Sequence, residues 1–575
     1  MNKARLLLAA AVCAALTITT GASSVPTRSH KGIVSSSNEI ASRIGAEVIA
    51  AGGTAVDAAV ATAFALAVVH PSAGNIGGGG FLVYRPASGT AVTYDFREKA
   101  PAKATPSMWL QDGQYSNELH HGSHLAVGVP GTVAGLHLAW KEQGKLPWKR
   151  LVDPAIALAR DGFTLSDALA RSLKSVQRSM QKYPASVAAF TKNGVPYEPG
   201  ETLKQPDLAR TLDRIATQGP AGFYQGETAL LLEKEMLAHG GLITRADLKS
   251  YAAVRRAPLT GSYRGYEIIA MPPPSSGGVA VIEMLNVLEG YDLKAAGFAS
   301  ATQIHLMAES MKRAYADRAK FLGDPDFNTD MPIDRLVSKP YSADLRRTIN
   351  LNKASKSSPS TFEWPHESDE TTHISVVDAA RNAVSMTYTL EQGFGVKIVV
   401  PGAGFLLNNE MGDFNDAPEM TNDRGSIGTT PNLAEGGKRM LSSMTPTILA
   451  KDGKLFMVTG TPGGRTIINS VLETIVDAVD FGMNAQEAVD AVRFHHQWLP
   501  DVINYERFGF SPDTVKELER RGHTLKESGG QGSAQVIIYN AKDDMLEGGS
   551  DRRDADGGAV GVPGRLAAKP TAAHR

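Results

Sequence analysis

Thr371 and Thr372 stand between a polar stretch that ends at Glu370 and the strand-like HISVVD. A threonine hydroxyl is a poor nucleophile at neutral pH unless a base lies beside it. If the chain were cut before Thr371, the new α-amino group would be that base, since its ordinary pKa of about 8 suits proton transfer at physiological pH. The loop before Thr371 is of the exposed kind in which an N-to-O acyl shift could make the cut. The plainer reading is that both threonines open a strand, where β-branched residues are favoured. Further on, Pro462-Gly463-Gly464 joins LFMVTGT to RTIINSVLETIVDAVDFG. Such a junction presents two unhindered N–H groups at a helix N-terminus, a fit for a developing oxyanion. It is also the form of an ordinary strand-to-helix turn. Glu410 and Asp413, in NNEMGDF, could hold an ammonium. Arg97, in YDFREKAP, with Ser442 and Ser443, in MLSSMTPT, could hold a carboxylate. Singly these are ordinary surface charges or caps. Together they suit an amino-acid head group.

The elements that must position these residues are partly legible. HISVVD and AVSMTYTL alternate as strands around Ala379–Asn382, a hairpin signal. Pairing Asp378 with Ala383 sets Thr371 or Thr372 opposite Thr389 or Leu390, so that two threonine hydroxyls meet at the open end. LFMVTGT, residues 455–461, predicts a strand. Upstream, from Ile33 to about Leu345, the pattern is α/β-like. Residues 46–69 predict two buried, alanine-rich helices broken at Gly52-Gly53, and Asp57 argues against a membrane span. FLVYRP and TAVTYDF predict paired strands turning at Ser88-Gly89, and residues 151–161 and 301–322 predict helices. Asn352–Glu370 is polar, holds two prolines and predicts an exposed loop.

Several devices are missing or unconvincing. There is no G-x-S-x-G elbow, no H-E-x-x-H and no Walker loop. Ser179-x-x-Lys182 lies in a charged helical stretch. GNIGGGGF lacks dinucleotide spacing and leads into a strand, which points to tight backbone packing. His495 and His496 are adjacent and read as structural. At 575 residues, with 42% hydrophobic and 21% charged residues, the chain is long enough for one large or two ordinary domains. Lys3 and Arg5 precede an apolar run from Leu6 to about Ile18, the form of a secretory leader cut after Ala22 and too short for an anchor. Cys13, the only cysteine, lies within it, so the mature chain has neither disulfide nor thiolate. Losing Lys3 and Arg5 from 59 basic residues, against 60 acidic ones, moves the net charge from −1 to −3. No basic excess points to nucleic acid or anionic membrane.

AGNIGGGGF, FREKAP, AVGVPGTVAGL, MPPPSSGG, YADRAKFLGDPDF, TTHISVVD, LLNNEMGDF, LSSMTPT, TPGGR and FHHQWLPD occur in the order of one family. Over nearly all of the mature chain the sequence resembles the γ-glutamyltranspeptidases, of the N-terminal nucleophile hydrolase superfamily. The resemblance implies an α+β fold, a four-layer αββα sandwich formed jointly by two autoprocessed subunits. These are residues 23–370, ending at Glu370, and 371–575, starting at Thr371. It implies Thr371 as nucleophile, Thr389 as its hydrogen-bonding support, and Gly463 and Gly464 as oxyanion amides. Arg97, Ser442 and Ser443 match the grip on the α-carboxylate, and Glu410 and Asp413 that on the α-ammonium. The partners implied are small γ-glutamyl compounds, acceptor amino acids or peptides, and the chain's own two subunits. No metal or organic cofactor is implied.

The sequence also departs from the pattern. Glu391 stands where asparagine is common and should still contact the ammonium. Gly412 replaces a common aspartate, Met440 a proline, and Thr461 and Arg465 flank the Pro-Gly-Gly turn. Asn415–Lys438 is long enough for a lid, and Arg424 falls where a lid tyrosine is common. Two other readings remain at this stage. One is an acylase on the same scaffold, for cephalosporin or glutaryl substrates. The other is a non-catalytic exported protein that binds γ-glutamyl compounds.

Overall fold

The computed structural model describes residues 24–358, 371–418 and 428–563. The leader, Cys13, Glu370 and Arg424 lie outside the described residues. Two seven-stranded sheets face each other, with helices over both outer faces. One runs in the order Gly558–Gly561, Ile33–Ser36, Thr372–Val377, Ala383–Thr389, Gly79–Arg85, Val92–Phe96, Val254–Arg256. The other runs Thr27–Ser29, Met545–Ser550, Gln535–Asn540, Lys454–Thr459, Thr447–Lys451, Tyr266–Ala270, Leu259–Tyr263. Each sheet takes strands from both sides of residue 371. Every pairing in the two sheets is antiparallel. The α/β-like alternation upstream therefore does not build a parallel sheet, because short reversals such as the one at Ser88-Gly89 connect neighbouring strands directly.

The outer face of the first sheet is apolar and packs on Ala55–Val69, AVDAAVATAFALAVV, all of whose residues are buried. Alanine lets this helix lie close to the strands, while Phe64 packs edge-on against Trp148. The Asp57 carboxylate is satisfied at the helix start: it accepts from the backbone N–H of Thr54 at 2.9 Å and of Lys145 at 3.0 Å, as a capping acid does. The expected break appears at Gly52, whose φ of 89° is open to glycine. The preceding helix starts earlier than expected, at Glu39–Ala50, under an Asn38 cap. Helices Trp148–Asp161 and Ala301–Phe321 fall where the periodicity put them.

Between the sheets, the end nearest Thr371 is polar. Ser375 donates to the Gln535 carbonyl at 2.9 Å, and Ser385 to the Thr459 carbonyl at 2.9 Å. His373 Nδ1 lies 2.7 Å from Thr387 Oγ1, and its Nε2 lies 3.1 Å from Ser375 Oγ. Burial pushes this imidazole down to about 3, so it stays neutral as a strut between strands.

The hairpin register differs from the expected one by one residue. Val377 pairs with Ala383 and Thr372 with Tyr388, and Asp378 N–H donates to the Asn382 carbonyl at 3.0 Å. The Asp378 carboxylate causes the shift. It accepts from Ala380 N–H at 2.9 Å and Asn382 N–H at 3.0 Å, which tightens the loop. Arg381, inside that loop, takes a φ of 69°. Continuing the register sets Thr371 opposite Thr389. The start of the expected Asn352–Glu370 loop is also less exposed than its polarity suggests. Ser355 donates its N–H and hydroxyl to buried Glu309 at 3.0 and 2.6 Å, and Lys312 donates to the Ser355 carbonyl at 2.7 Å.

Candidate active site

Thr371 is buried at the head of its strand, at the end of the hairpin away from the turn. Thr389 ends the partner strand, and its hydroxyl accepts from Glu391 N–H at 2.9 Å. The glycine-rich stretch explains how this end is held. A Cβ on Gly78 would lie 2.0 Å from the Thr389 carbonyl, and one on Gly80 2.3 Å from that of Thr387. Only glycines allow the backbones so close. Asn75 Nδ2 donates to the Thr389 carbonyl at 2.9 Å, which fixes the strand end.

One small pocket brings together Thr371, Thr389, Gly464, Arg97, Glu391, Glu410, Asp413, Ser442 and Ser443, with Met444 and Ile467. Gly463 faces an adjoining groove instead, with Ser37, His70, Arg171 and Asp554. The Gly463–Gly464 turn thus separates two spaces. Their φ values are 132° and 53°, and the helix Thr466–Val479 begins directly after them. Both angles lie in the region that favours glycine. Thr461, one departure from the family pattern, keeps a hydroxyl that accepts from Ser533 N–H at 3.1 Å.

The two grips meet directly. The buried Arg97 guanidinium pairs with Glu410 and Asp413, and lies 3.6 Å from Glu98. It also donates to the carbonyls of Met440 at 3.3 Å and Leu441 at 3.2 Å, which places it beside Ser442. Met440 therefore contributes its backbone. Burial works against the Arg97 charge, but Glu410, Asp413 and Glu98 outweigh it and hold the group charged. Burial pushes Glu98 up to about 8 despite Arg97, and drives Glu410 well above the usual carboxylate range. Burial and the mutual repulsion of the carboxylates thus oppose the pull of the guanidinium on Glu98 and Glu410.

Residues outside the expected set shape the pocket. Arg318, in YADRAKF, donates to Ser276 Oγ at 2.6 Å and to Ser443 Oγ at 3.1 Å. Ser276 in turn donates to the Ser442 carbonyl at 2.7 Å. The motifs MPPPSSGG, YADRAKF and LSSMTPT thus form one support behind the two serines, and their arginine and serines were the available signal. His121 lies against Glu391, a contact that nothing in the local sequence marks. The ends of Asn415–Lys438 are anchored at the pocket: Asn432 Nδ2 donates to the Asp413 carbonyl at 2.7 Å, and its Oδ1 accepts from Leu441 N–H at 2.9 Å. His495 and His496 are satisfied away from the pocket, with Asn469 and Gln497 on the first and Asp501 on the second.

Known proteins share this chain's sequence and fold. The family profile described as Gamma-glutamyltranspeptidase matches residues 41–561. A glutathione hydrolase proenzyme of Escherichia coli is 48% identical over 536 residues, 92% of each chain. One from a Pseudomonas species is 47% identical over 519 residues, 90% of each. The crystal structure of cephalosporin acylase from Bacillus halodurans matches with a TM-score of 0.84 at 26% identity, over 96% of this chain and 99% of that one. The chain belongs to the γ-glutamyltranspeptidase family.

Proposed function

We propose that Thr371 is the nucleophile of this γ-glutamyl transferase and hydrolase, set free as an N-terminus by cleavage after Glu370. The observation that carries the reading is the single pocket where Thr371, Thr389 and Gly464 meet Arg97, Glu391, Glu410, Asp413, Ser442 and Ser443. A γ-glutamyl donor carries a zwitterionic head. Its carboxylate goes to Arg97, Ser442 and Ser443, and its ammonium to Glu391, Glu410 and Asp413. That insertion replaces the direct pairing of Arg97 with the two acids.

The α-amine of Thr371 takes the hydroxyl proton, and the oxygen attacks the γ-glutamyl amide carbonyl. The amide of Gly464, at the pocket wall, holds the tetrahedral oxyanion, Gly463 shapes the turn that presents it, and Thr389 orients the hydroxyl. The amine product leaves with the proton. Water, or the amine of an acceptor amino acid or peptide, then releases the γ-glutamyl group from Thr371. Glutathione is a donor of this kind. We further place the mature protein outside the cytoplasm, in the periplasm or secreted, on the leader-like residues 1–22. Among the described residues no helix is long and apolar enough to cross a membrane. The two subunits remain together because both contribute hydrogen-bonded strands to each sheet.

The test is Thr371→Ala. It is expected to run as one band on a denaturing gel and to leave γ-glutamyl anilides intact. Two bands from this variant would overturn the self-cleavage. The likeness to a cephalosporin acylase favours a second reading, in which the donor lacks an α-ammonium. Comparing γ-glutamyl and glutaryl anilides separates the two. Buried Glu410 and partly buried Asp413 support a clear preference for the former.

A further inference from the structure

Behind Glu391, one of the pocket's lining acids, stands a histidine that does not itself line the pocket. His121 lies in a single wide helical turn, Glu118–Gly122, and is buried. Its Nδ1 stands 3.3 Å from Glu391 Oε1. The ring fills the space over Gly412: a Cβ there would lie 2.3 Å from His121 Nδ1 and 3.3 Å from the Glu391 carboxyl carbon. Asn409 holds the arrangement from behind. It donates to the His121 carbonyl at 3.1 Å and accepts from Gln392 N–H at 3.1 Å, next to Glu391. Glu391 itself has a φ of 77°. Non-glycine residues seldom adopt that conformation, so its backbone is pinned at a cost.

We propose that His121 sets the strength of donor binding. Protonated, it neutralises Glu391 and competes with the donor's α-ammonium; neutral, it yields the Glu391 carboxylate to the donor. The proposal rests on the reading that this pocket holds a γ-glutamyl head group.

Among the described residues the titratable groups around His121 are few. Its neighbour His120, with ring centroids 4.5 Å apart, is kept neutral by burial first and by His121 second. His120 Nδ1 lies 2.9 Å from the Tyr115 hydroxyl, and its Nε2 lies 3.0 Å from the Met411 carbonyl. Burial alone would lower His121. The bond to Glu391 and the charges of Glu391, Asp413 and Asp416 outweigh it, so the group titrates above its ordinary value. Glu118, on the same turn, is exposed and pairs with Lys182 at 3.7 Å. The switch therefore lies above the ordinary histidine value, and donor affinity rises as His121 loses its proton.

The experiment measures kcat and KM for γ-glutamyl-p-nitroanilide from pH 5 to 9. The proteins are the wild type, His121→Asn, His121→Gln, Glu391→Gln and the double variant His121→Asn/Glu391→Gln. In the wild type, KM is expected to fall by roughly tenfold as pH rises through the His121 titration, the scale of one partly screened charged contact. Both His121 variants are expected to show a low KM that is flat over that range, with the kcat profile keeping the limb of the Thr371 amine. Glu391→Gln is expected to raise KM and to make the second substitution silent, because the effect of His121 runs through that carboxylate. Variants whose KM follows the wild-type curve, or whose kcat drops at every pH with KM unchanged, would overturn the proposal. Should the wild type fail to turn over the anilide at all, the head-group reading fails first, and the two failures stay distinct.

Discussion

The two threonines that open the hairpin have different surroundings. Thr372 Oγ1 donates to Ser37 Oγ at 3.1 Å on the far side of the strand, while Thr371 faces the pocket. The Thr389 hydroxyl, which the proposed mechanism assigns to orienting Thr371, accepts the Glu391 N–H. Thr389→Val keeps the shape and removes the oxygen. It is expected to lower kcat by roughly ten- to a hundredfold, the cost of one or two lost hydrogen bonds around the reacting group, and to slow the splitting of the precursor. Thr389→Ser should restore most of both. Steady-state kinetics together with a denaturing gel over time checks this, and a valine variant as fast as the wild type would remove Thr389 from the site. Gly412 shows how a departure from the family pattern is accommodated: where an aspartate is common, this chain places the His121 ring in the space above the backbone.

At the scale of elements, the Gly463–Gly464 turn is the most sensitive joint. Thr466 Oγ1 donates to the Gly463 carbonyl at 2.7 Å, and a Cβ on Gly463 would stand 2.5 Å from that hydroxyl oxygen. Gly464 holds a φ of 53° at the pocket wall. Gly464→Ala strains the turn and, on the proposed mechanism, turns an amide away from the oxyanion. Losing one such donor costs about 3 kcal/mol in barrier, so a loss of roughly a hundredfold in kcat is expected with KM little changed. A raised KM with kcat unchanged would place the turn in binding instead. The hairpin carries a second lesson. Its two strands were legible from alternation, but the register was set by the Asp378 carboxylate bridging the loop, a contact that alternation does not encode.

At the scale of the whole molecule, two buried groups give opposite pH responses. His373 is held neutral to about 3 by burial, well below its ordinary 6.5. Below pH 6.5 the unfolded chain binds that proton and the folded one does not, so this contribution to stability is lost as pH falls. Glu473, on the helix after the glycine turn, is raised well above its ordinary 4.5 by burial, against the pull of the Phe494 N–H at 2.9 Å. Above pH 4.5 the unfolded carboxyl ionises first, so this contribution is lost as pH rises. Chemical unfolding of the wild type against His373→Asn is expected to show the wild-type advantage shrinking by about 1.4 kcal/mol per pH unit below 6.5. Against Glu473→Gln the advantage should shrink as pH climbs above 4.5. Parallel curves in either pair would remove that group from the linkage.

Sequence alone specified the local chemistry: a threonine where a strand begins, a second threonine seventeen or eighteen residues on across a hairpin, and two glycines between a strand and a helix. These are short-range features, fixed by alternation, turn residues and the conformational freedom of glycine. It also carried the family, through long motifs in order. Convergence was decided only in three dimensions. Arg97 meets Glu410 and Asp413 across 313 and 316 residues, because strands from both halves of the chain pair in the same sheets. The direct pairing of the two grips, the support of Ser443 by Arg318 and the seat of His121 against Glu391 follow from that packing. No periodicity encodes them, since each depends on which elements become neighbours and how closely their backbones approach.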